Sequence, residues 1–398
     1  MTIYKLLILS AISFIMTAAA AQDHSAGNRW MGTWAAAAEF AGRQDQPKSA
    51  MNGKSVRQII KVSAGGSRIM LQLSNEFSSE PLEITSVTIA DASDSCNINK
   101  KTSKKLTFKG KTRLLIPAGG KAESDAADYN LRPLQKLSVT ISFGEQVPKL
   151  LTSHRGSRTT SYIYKGADGS GKVIEKTDHW YVISQLNVIS TANAVAILGN
   201  SITDGRGSTT NLQNRWPDRM AESMGGRCGI LNLGIGGNCV IKGGISEPAV
   251  KRFKRDILGQ KGVSAVIIFE GTNDIGISTE NYNAITDSLI AAYKAMTAEA
   301  HKNGLKVIMA TITPTYGNAW FSFFHEAMRQ TINKWIREQN VSDGVIDFDR
   351  LVRNEARPWQ MKAEYSDDWL HLNPEGYKAM GIYAAARLAE MNLDKNKE

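Results

Sequence analysis

Residues 194–205 have the sequence AVAILGNSITDG. The uninterrupted apolar run 194–198 is typical of a strand in a parallel sheet that helices cover on both faces. Ser201 follows this run directly, after Gly199 and Asn200. In open parallel sheets, binding and catalytic groups gather at the carboxyl ends of the strands. The stretch therefore predicts an α/β fold and indicates the sheet edge at which functional residues are expected.

Four further apolar runs share this character and alternate with helical segments. They are residues 229–233, 265–269, 305–311 and 344–348. Within residues 281–303 the apolar positions recur every three or four residues, and Gly304 follows where a helix would end. We therefore predict a parallel, doubly wound α/β domain over residues 189–395.

The preceding residues, 28–188, follow a pattern of short strands instead. The runs 56–62 and 68–73 flank Ala64–Ser67, which predicts a hairpin. Similar short runs follow, separated by polar or glycine-rich turns, at residues 82–90, 106–108, 113–116 and 137–143. This spacing predicts an antiparallel β-sandwich or jelly-roll-like domain.

The first 21 residues have the pattern of a signal peptide. Lys5 precedes an apolar run over residues 6–16, and small residues follow up to Ala21. The apolar run is too short to cross a bilayer as a helix. We expect cleavage near Ala21 and a protein that is secreted or periplasmic.

Composition excludes several classes of protein. Of the 398 residues, 42% are hydrophobic and 22% are charged, which argues against a disordered or fibrous chain. The net charge of +10 is spread along the chain without a concentrated basic stripe, so nucleic-acid binding is not expected. The three cysteines form no C-x-x-C or Cys/His cluster, so neither a disulfide framework nor a metal site is predicted.

Further polar groups follow the predicted strands at the same sheet edge. Gly237 lies in a glycine-rich turn after the second strand, and Asn273 follows the third. The turn lacks the last glycine of a dinucleotide-binding fingerprint, because Cys239 stands there, so a nicotinamide cofactor is not predicted. Near the carboxyl end of the chain, Asp368 precedes His371 by three residues, ahead of a helix that Asn373-Pro374 would begin.

Together these groups suit acyl transfer. A serine hydroxyl needs a base to accept its proton, and a carboxylate that orients the base makes it more effective. We assign Ser201 as nucleophile, His371 as base and Asp368 as the orienting group, with Asp367 as the alternative. The N–H groups of Ser201 and Gly237 and the Asn273 side chain would stabilise the oxyanion. No organic cofactor or metal is required.

Four short blocks of this sequence resemble those of the SGNH (GDSL-type) hydrolase superfamily. They are Gly199-Asn200-Ser201, Gly236-Gly237, Gly271-x-Asn273-Asp274 and Asp368-x-x-His371. The resemblance implies a flavodoxin-like α/β/α fold, carboxylester hydrolysis and the residue roles given above. This chain differs from the superfamily in having Asn200 where Asp is usual, which changes the charge beside the nucleophile.

The amino-terminal half resembles a subgroup of secreted bacterial SGNH esterases. Residues 30–34 and 74–77 carry this resemblance, and the subgroup joins a β-rich domain to the hydrolase. It includes acetylesterases of plant-polysaccharide breakdown. We therefore expect an O-acetylesterase acting on an acylated carbohydrate or another small ester. Three aromatic residues after the fourth strand are candidates to line the substrate pocket: Tyr316, Trp320 and Phe321.

Two alternatives remain at this point. A lipase or arylesterase would use the same residues with a larger acyl pocket. A non-catalytic glycan-binding protein could be built on the same hydrolase scaffold.

Overall fold

The computed structural model describes residues 29–93 and 95–391, and the predicted signal peptide lies outside them. An antiparallel β-sandwich comes first and a parallel sheet covered by helices follows. None of the helices within the described ranges is long and apolar enough to cross a membrane.

Within residues 29–93 and 95–190, fourteen strands form the sandwich and a small ladder beside it. They are β1 (Arg29–Ala35), β2 (Ser55–Lys61), β3 (Gly66–Ser74), β4 (Leu82–Asp91), β5 (Lys104–Leu106), β6 (Leu114–Ile116), β7 (Lys121–Glu123), β8 (Ala127–Leu131), β9 (Lys136–Phe143), β10 (Ser153–His154), β11 (Ser161–Tyr164), β12 (Val173–Thr177), β13 (Trp180–Tyr181) and β14 (Ile183–Ser190). Short 3₁₀ turns occupy Arg43–Asp45 and Lys100–Thr102.

The strands pair in antiparallel fashion in two main sheets. One sheet has the order β1-β14-β3-β7, and β8 also pairs with β3. The other has the order β12-β11-β2-β9-β4-β5, and β6 also pairs with β4. Strands β10 and β13 form the two-stranded ladder.

The hairpin predicted at Ala64–Ser67 is wrong. Strand β2 pairs with β9 and β11, whereas β3 pairs with β14, β7 and β8, so the turn carries the chain from one sheet to the other. Ile60 on β2 and Leu71 on β3 are both fully buried in one apolar cluster. The two strands therefore gain burial by facing each other across the sandwich rather than by pairing edge to edge.

The helical part contains five parallel strands in the order β16-β15-β17-β18-β19, which is the flavodoxin-like order. The strands are β15 (Ala194–Gly199), β16 (Gly229–Gly234), β17 (Val263–Phe269), β18 (Lys306–Ala310) and β19 (Gly344–Ile346). The α-helices are α1 (Ser201–Asp204), α2 (Trp216–Ser223), α3 (Ala249–Phe253), α4 (Thr272–Gly276), α5 (Tyr282–Lys302), α6 (Phe323–Glu338), α7 (Phe348–Val352) and α8 (Pro374–Glu390). A π-helical turn, Lys254–Leu258, continues α3, and a 3₁₀ turn occupies Ala363–Tyr365. The predicted α/β architecture is confirmed, and α5 is the helix expected over residues 281–303.

Alternate residues of β15 point to different faces of the sheet. Val195 and Ile197 belong to an apolar cluster with residues of α2, α7 and α8. Ala196 and Leu198 belong to another cluster, with residues of α3, α5 and α6. This second cluster continues into the interior of the sandwich, so one apolar core runs through both parts of the chain.

The sandwich packs directly on the amino ends of the parallel strands. Gly32 in β1 donates its N–H to the Lys261 carbonyl oxygen at 2.8 Å, and Ile230 donates to Ser63 Oγ, also at 2.8 Å. A β-carbon at Gly32 would lie 2.8 Å from a methyl group of Leu231, so a larger residue there would have to displace the Leu231 side chain.

Candidate active site

Ser201 lies at the point where β15 gives way to α1. Gly199 ends the strand, and a β-carbon there would lie 2.1 Å from Thr203 Oγ1. Asn200 caps α1 by accepting a hydrogen bond from Ile202 N at 3.0 Å. Ser201 is the first residue of the helix and is buried, and its Oγ lies 2.9 Å from His371 Nε2. The turn therefore presents the serine hydroxyl to the imidazole.

A tight loop before α8 holds His371. Asp368 Oδ2 lies 2.8 Å from His371 Nδ1, and Asp368 Oδ1 accepts the backbone N–H groups of Leu370 at 2.9 Å and His371 at 2.7 Å. Trp369 adopts a left-handed backbone conformation, φ +62°, which turns the chain back on itself. Asp367 is exposed and, within the described part of the chain, forms no hydrogen bond with the His371 imidazole. The structure thus brings Asp368, rather than Asp367, to the histidine.

Burial and charge set the protonation states of this pair. Burial lowers the pKa of His371 below its usual 6.5, in opposition to the nearby Asp368, and the charges of Arg206 and Arg158 lower it further. For Asp368, burial works in the opposite direction, but hydrogen bonds from the His371 side chain and from two backbone N–H groups lower the pKa. At neutral pH the imidazole is therefore uncharged and able to accept a proton, while the carboxylate is ionised.

The predicted oxyanion donors lie around the serine. Gly237, φ +73°, follows β16 in a turn whose Gly236 N–H donates to Asp204 Oδ2 at 3.2 Å. Asn273 lies in the first turn of α4 and donates one Nδ2 hydrogen to the Asn238 carbonyl oxygen at 2.6 Å. Its second amide hydrogen stays available, since a carboxamide carries two. Ser201, Gly237 and Asn273 line the same cavity.

A fully buried arginine, Arg252, forms hydrogen bonds with the segments that carry Ser201, Gly237 and Asn273. Arg252 donates hydrogen bonds to the carbonyl oxygens of Gly199 at 3.0 Å and Leu233 at 2.7 Å. These two hydrogen bonds link the carboxyl ends of β15 and β16. It also donates to Asn238 Oδ1 at 2.8 Å, and Asn238 is the residue that positions Asn273. Glu270 lies beside it, and burial raises the pKa of this carboxyl to about 8 although the Arg252 charge opposes the rise.

The cavity at this sheet edge has a volume of about 630 Å³, and both parts of the chain form its wall. The sandwich contributes Glu39, Asp45, Arg155, Gly156, Arg158 and His179. The α/β part contributes Ser201, Asp204, Arg206, Gly236, Gly237, Ile245, Asn273, Asn318, Ala319, Trp320, Asp368, Leu370 and His371.

Of the three aromatic residues expected at the pocket, the structure places Trp320 in the cavity wall. Tyr316 and Phe321 instead pack edge to face on each other, with 4.8 Å between ring centroids, and are not part of that wall. The loop turns after Thr315, and this turn sends neighbouring aromatic rings in different directions.

Sequence reasoning missed the polar groups around this centre. Asp204 lies within the stretch quoted at the outset, and its carboxylate bonds to His154 Nε2 at 3.1 Å. Glu39 and Arg155 form an ion pair on the sandwich side of the cavity. Asp204 could have been found from its position one turn after Ser201, but the sandwich residues lie in no motif.

The arrangement suits nucleophilic acyl transfer. A hydroxyl bonded to an uncharged imidazole, itself bonded to a carboxylate, can be deprotonated as it attacks a carbonyl carbon. Among residues 29–93 and 95–391, no cluster of three or more His, Cys, Asp or Glu side chains is arranged to hold a metal ion.

Several solved structures are similar to this chain. A search of curated proteins finds no match to the chain. Among solved structures, it is similar to a GDSL-like lipase from Bacteroides thetaiotaomicron VPI-5482, with 20% identity and a TM-score of 0.39 over 50% of this chain and 88% of that one. It is similar to a carbohydrate acetylesterase from Sinorhizobium meliloti, with 16% identity and a TM-score of 0.40 over 50% of this chain and 99% of that one. A family two carbohydrate esterase from Cellvibrio japonicus is 12% identical, with a TM-score of 0.40 over 92% of this chain and 95% of that one.

The family assignment itself rests on a family model rather than on these structures. Residues 197–379, which include Ser201, Gly237, Asn273 and His371, match the model of the GDSL-like lipase/acylhydrolase family. This part of the chain is therefore a GDSL-like lipase/acylhydrolase domain.

Proposed function

We propose that the protein is a serine esterase that removes acetyl groups from a carbohydrate, with Ser201, His371 and Asp368 as its catalytic triad. The observation that carries the proposal is the continuous hydrogen-bonded chain from Ser201 Oγ through His371 to Asp368, at 2.9 and 2.8 Å, on the wall of an open cavity. Three residues of this kind in this order are what acyl-enzyme catalysis needs.

The proposed reaction has two halves. Ser201 Oγ attacks the ester carbonyl carbon as His371 Nε2 takes the hydroxyl proton. The negative oxygen that forms accepts hydrogen bonds from the N–H groups of Ser201 and Gly237 and from Asn273 Nδ2. The imidazolium then protonates the leaving alcohol, which leaves an acetyl-enzyme. Water, deprotonated by His371, attacks the acetyl carbon and releases acetate, and the proton returns to Ser201.

The nature of the cavity wall favours a small acyl group on a polar alcohol. Its apolar side chains are few: Ile245, Ala319, Trp320 and Leu370. A long acyl chain would need a continuous apolar surface to gain free energy on binding. A sugar instead needs polar partners for its hydroxyl groups and an aromatic face for its ring, and Trp320 and the surrounding polar groups supply both.

Acetate release from acetylated xylan, pectin and mannan tests this proposal, with Ser201→Ala as the matched variant. We expect release by the wild type from at least one polymer and none by the variant. An acyl-length series of aryl esters should show rates that fall steeply beyond C2–C3. A preference for longer chains would instead indicate a lipase or arylesterase. Failure to hydrolyse any ester, aryl acetate included, would leave a glycan-binding protein.

A further inference from the structure

Two arginines on the cavity wall have no acidic partner. Arg158 is half-buried in the sandwich loop that follows β10, and Arg206 is exposed just after α1. Neither guanidinium forms an ion pair or a hydrogen bond with any residue in 29–93 or 95–391, and Arg158 Nε is buried without a partner.

The acidic groups of the same wall are already engaged. Asp204 bonds to His154, Asp368 bonds to His371, and Glu39 pairs with Arg155. Asp45 lies 4.0 Å from Arg155 and 3.9 Å from His179. None of these four carboxylates forms an ion pair with Arg158 or Arg206.

Both arginines are held close to the reacting groups. The Arg206 N–H donates to the Ser201 carbonyl oxygen at 2.9 Å, and the Tyr377 hydroxyl donates to the Arg206 carbonyl oxygen. The Arg158 carbonyl oxygen accepts the N–H of Asn211 at 2.9 Å, and Arg158 itself adopts a left-handed conformation, φ +48°. Burial lowers the pKa of His371, and the positive charges of Arg206 and Arg158 lower it further.

A cation without an ion-pair partner beside a general base opposes formation of the imidazolium during catalysis, and an anionic ligand bound to that cation would relieve this effect. The planar fork of arginine suits a carboxylate, which it can bind through two parallel hydrogen bonds. An acetyl group carries no charge, so the anion must belong to the alcohol part of the ester.

We infer that Arg158 and Arg206 bind a carboxylate of the alcohol part, so that the preferred substrates are acetylated glycans that contain hexuronate residues. This inference rests on the proposed esterase function and adds the charge class of its substrate. Arg158 comes from the sandwich and Arg206 from the α/β part, so each part of the chain would supply half of the subsite.

Two forms of one substrate test the inference. Acetylated oligogalacturonides carry free carboxylates, and methyl esterification of those carboxylates removes the charge while leaving the acetyl groups in place. We expect the wild-type kcat/KM for acetate release to be about tenfold to a hundredfold higher on the free acid, as charge-assisted hydrogen bonds would give. The preference should shrink as salt concentration rises.

Substitutions assign the preference to the two arginines. Arg158→Gln and Arg206→Gln should each reduce the ratio of the two kcat/KM values, and the double variant should bring it close to one. Arg227→Gln is the matched control, since Arg227 is an exposed arginine at the opposite, amino end of β16. A wild-type ratio near one, or a ratio that survives in the double variant, would overturn the inference.

Binding separates this inference from the esterase proposal. Calorimetric titration of Ser201→Ala with unacetylated oligogalacturonate needs no turnover. We expect binding that the further changes Arg158→Gln and Arg206→Gln weaken by about tenfold or more. Binding without any esterase activity in the wild type would contradict the proposed function alone, whereas absence of binding would contradict the carboxylate subsite.

Discussion

Asp367 and Asp368 are adjacent acids, and only Asp368 reaches the imidazole. We predict that Asp368→Asn lowers kcat about a hundredfold or more, because His371 loses the group that fixes its tautomer and stabilises its positive charge. Asp367→Asn is the matched control and should change kcat less than about twofold, since an exposed carboxylate outside the hydrogen-bonded chain contributes little. Steady-state kinetics on an aryl acetate measures both. Equal losses in the two variants would contradict the assignment of Asp368.

The protonation of His371 should govern the pH dependence of the reaction. In the proposed mechanism only the uncharged imidazole can accept the serine proton, so kcat/KM should fall as pH decreases through the pKa of His371. Because burial lowers that pKa, we expect the midpoint of this fall to lie below 6.5. A profile of kcat/KM between pH 4 and 8 measures it. A midpoint clearly above 6.5, or a flat profile, would contradict the role of His371.

Each residue of the proposed triad has a local signal in the sequence. Ser201 follows a continuous apolar strand, and Asp368 and His371 are three residues apart before a capped helix. Arg158 has no such signal. It reaches the cavity through the packing of the sandwich on the α/β part, and no pattern along the chain encodes that contact.

At the scale of elements, α1 connects the turn at Gly236-Gly237 to the sandwich. Asp204, the last residue of α1, accepts the Gly236 N–H and bonds to His154 Nε2. His154 Nδ1 lies 3.0 Å from the Ala37 carbonyl oxygen, which can only accept. Both ring nitrogens therefore face acceptors, which favours the imidazolium form of His154. Burial alone would lower the pKa of His154, but Asp204 and Glu39 outweigh burial and raise it.

We predict that His154→Ala destabilises the protein by about 3–5 kcal/mol near pH 6, because Asp204 loses its buried partner. The folded-state pKa of His154 lies above the ordinary 6.5, so its contribution is complete below pH 6.5 and is lost as pH rises through the folded-state pKa. The difference between the wild type and the variant should therefore shrink at alkaline pH.

Denaturant unfolding at several pH values between 6 and 9 measures this difference. His301→Ala is the control, because His301 pairs with Asp343 at the surface and should contribute much less. A His154→Ala penalty that grows with pH would contradict the imidazolium assignment.

The hairpin expected at Ala64–Ser67 shows why strand pairing is harder to predict than strands. A short glycine-containing turn between two apolar runs permits either a hairpin or a crossing between sheets. The choice depends on which partners complete each sheet, and β14, the partner of β3, follows more than 100 residues later.

At the scale of the whole molecule, the two parts share one apolar core. Met31 and Leu231 are both fully buried in the cluster that spans them. We predict that the chain unfolds in a single cooperative transition, because separating the parts would expose this shared surface to water. Differential scanning calorimetry tests it by comparing the calorimetric and van't Hoff enthalpies. Two resolved transitions would show that the parts unfold independently.

The fold class of each part can be predicted from the sequence. Continuous apolar runs indicate the strands of a parallel sheet, whereas short runs separated by turns indicate an antiparallel sandwich. The way in which the two parts pack together cannot be predicted in this manner. It involves contacts such as that between Gly32 and Leu231, which are nearly 200 residues apart in the sequence.

The divided wall of the cavity has a consequence for laboratory evolution. The groups that would break the ester bond all lie in the α/β part, whereas Glu39, Asp45, Arg155 and Arg158 reach the cavity from the sandwich. Randomising or grafting the sandwich loops would therefore alter which alcohols are accepted while leaving the bond-breaking residues intact. Variants with a changed preference for the alcohol part of the ester can therefore be sought first among substitutions in the sandwich loops.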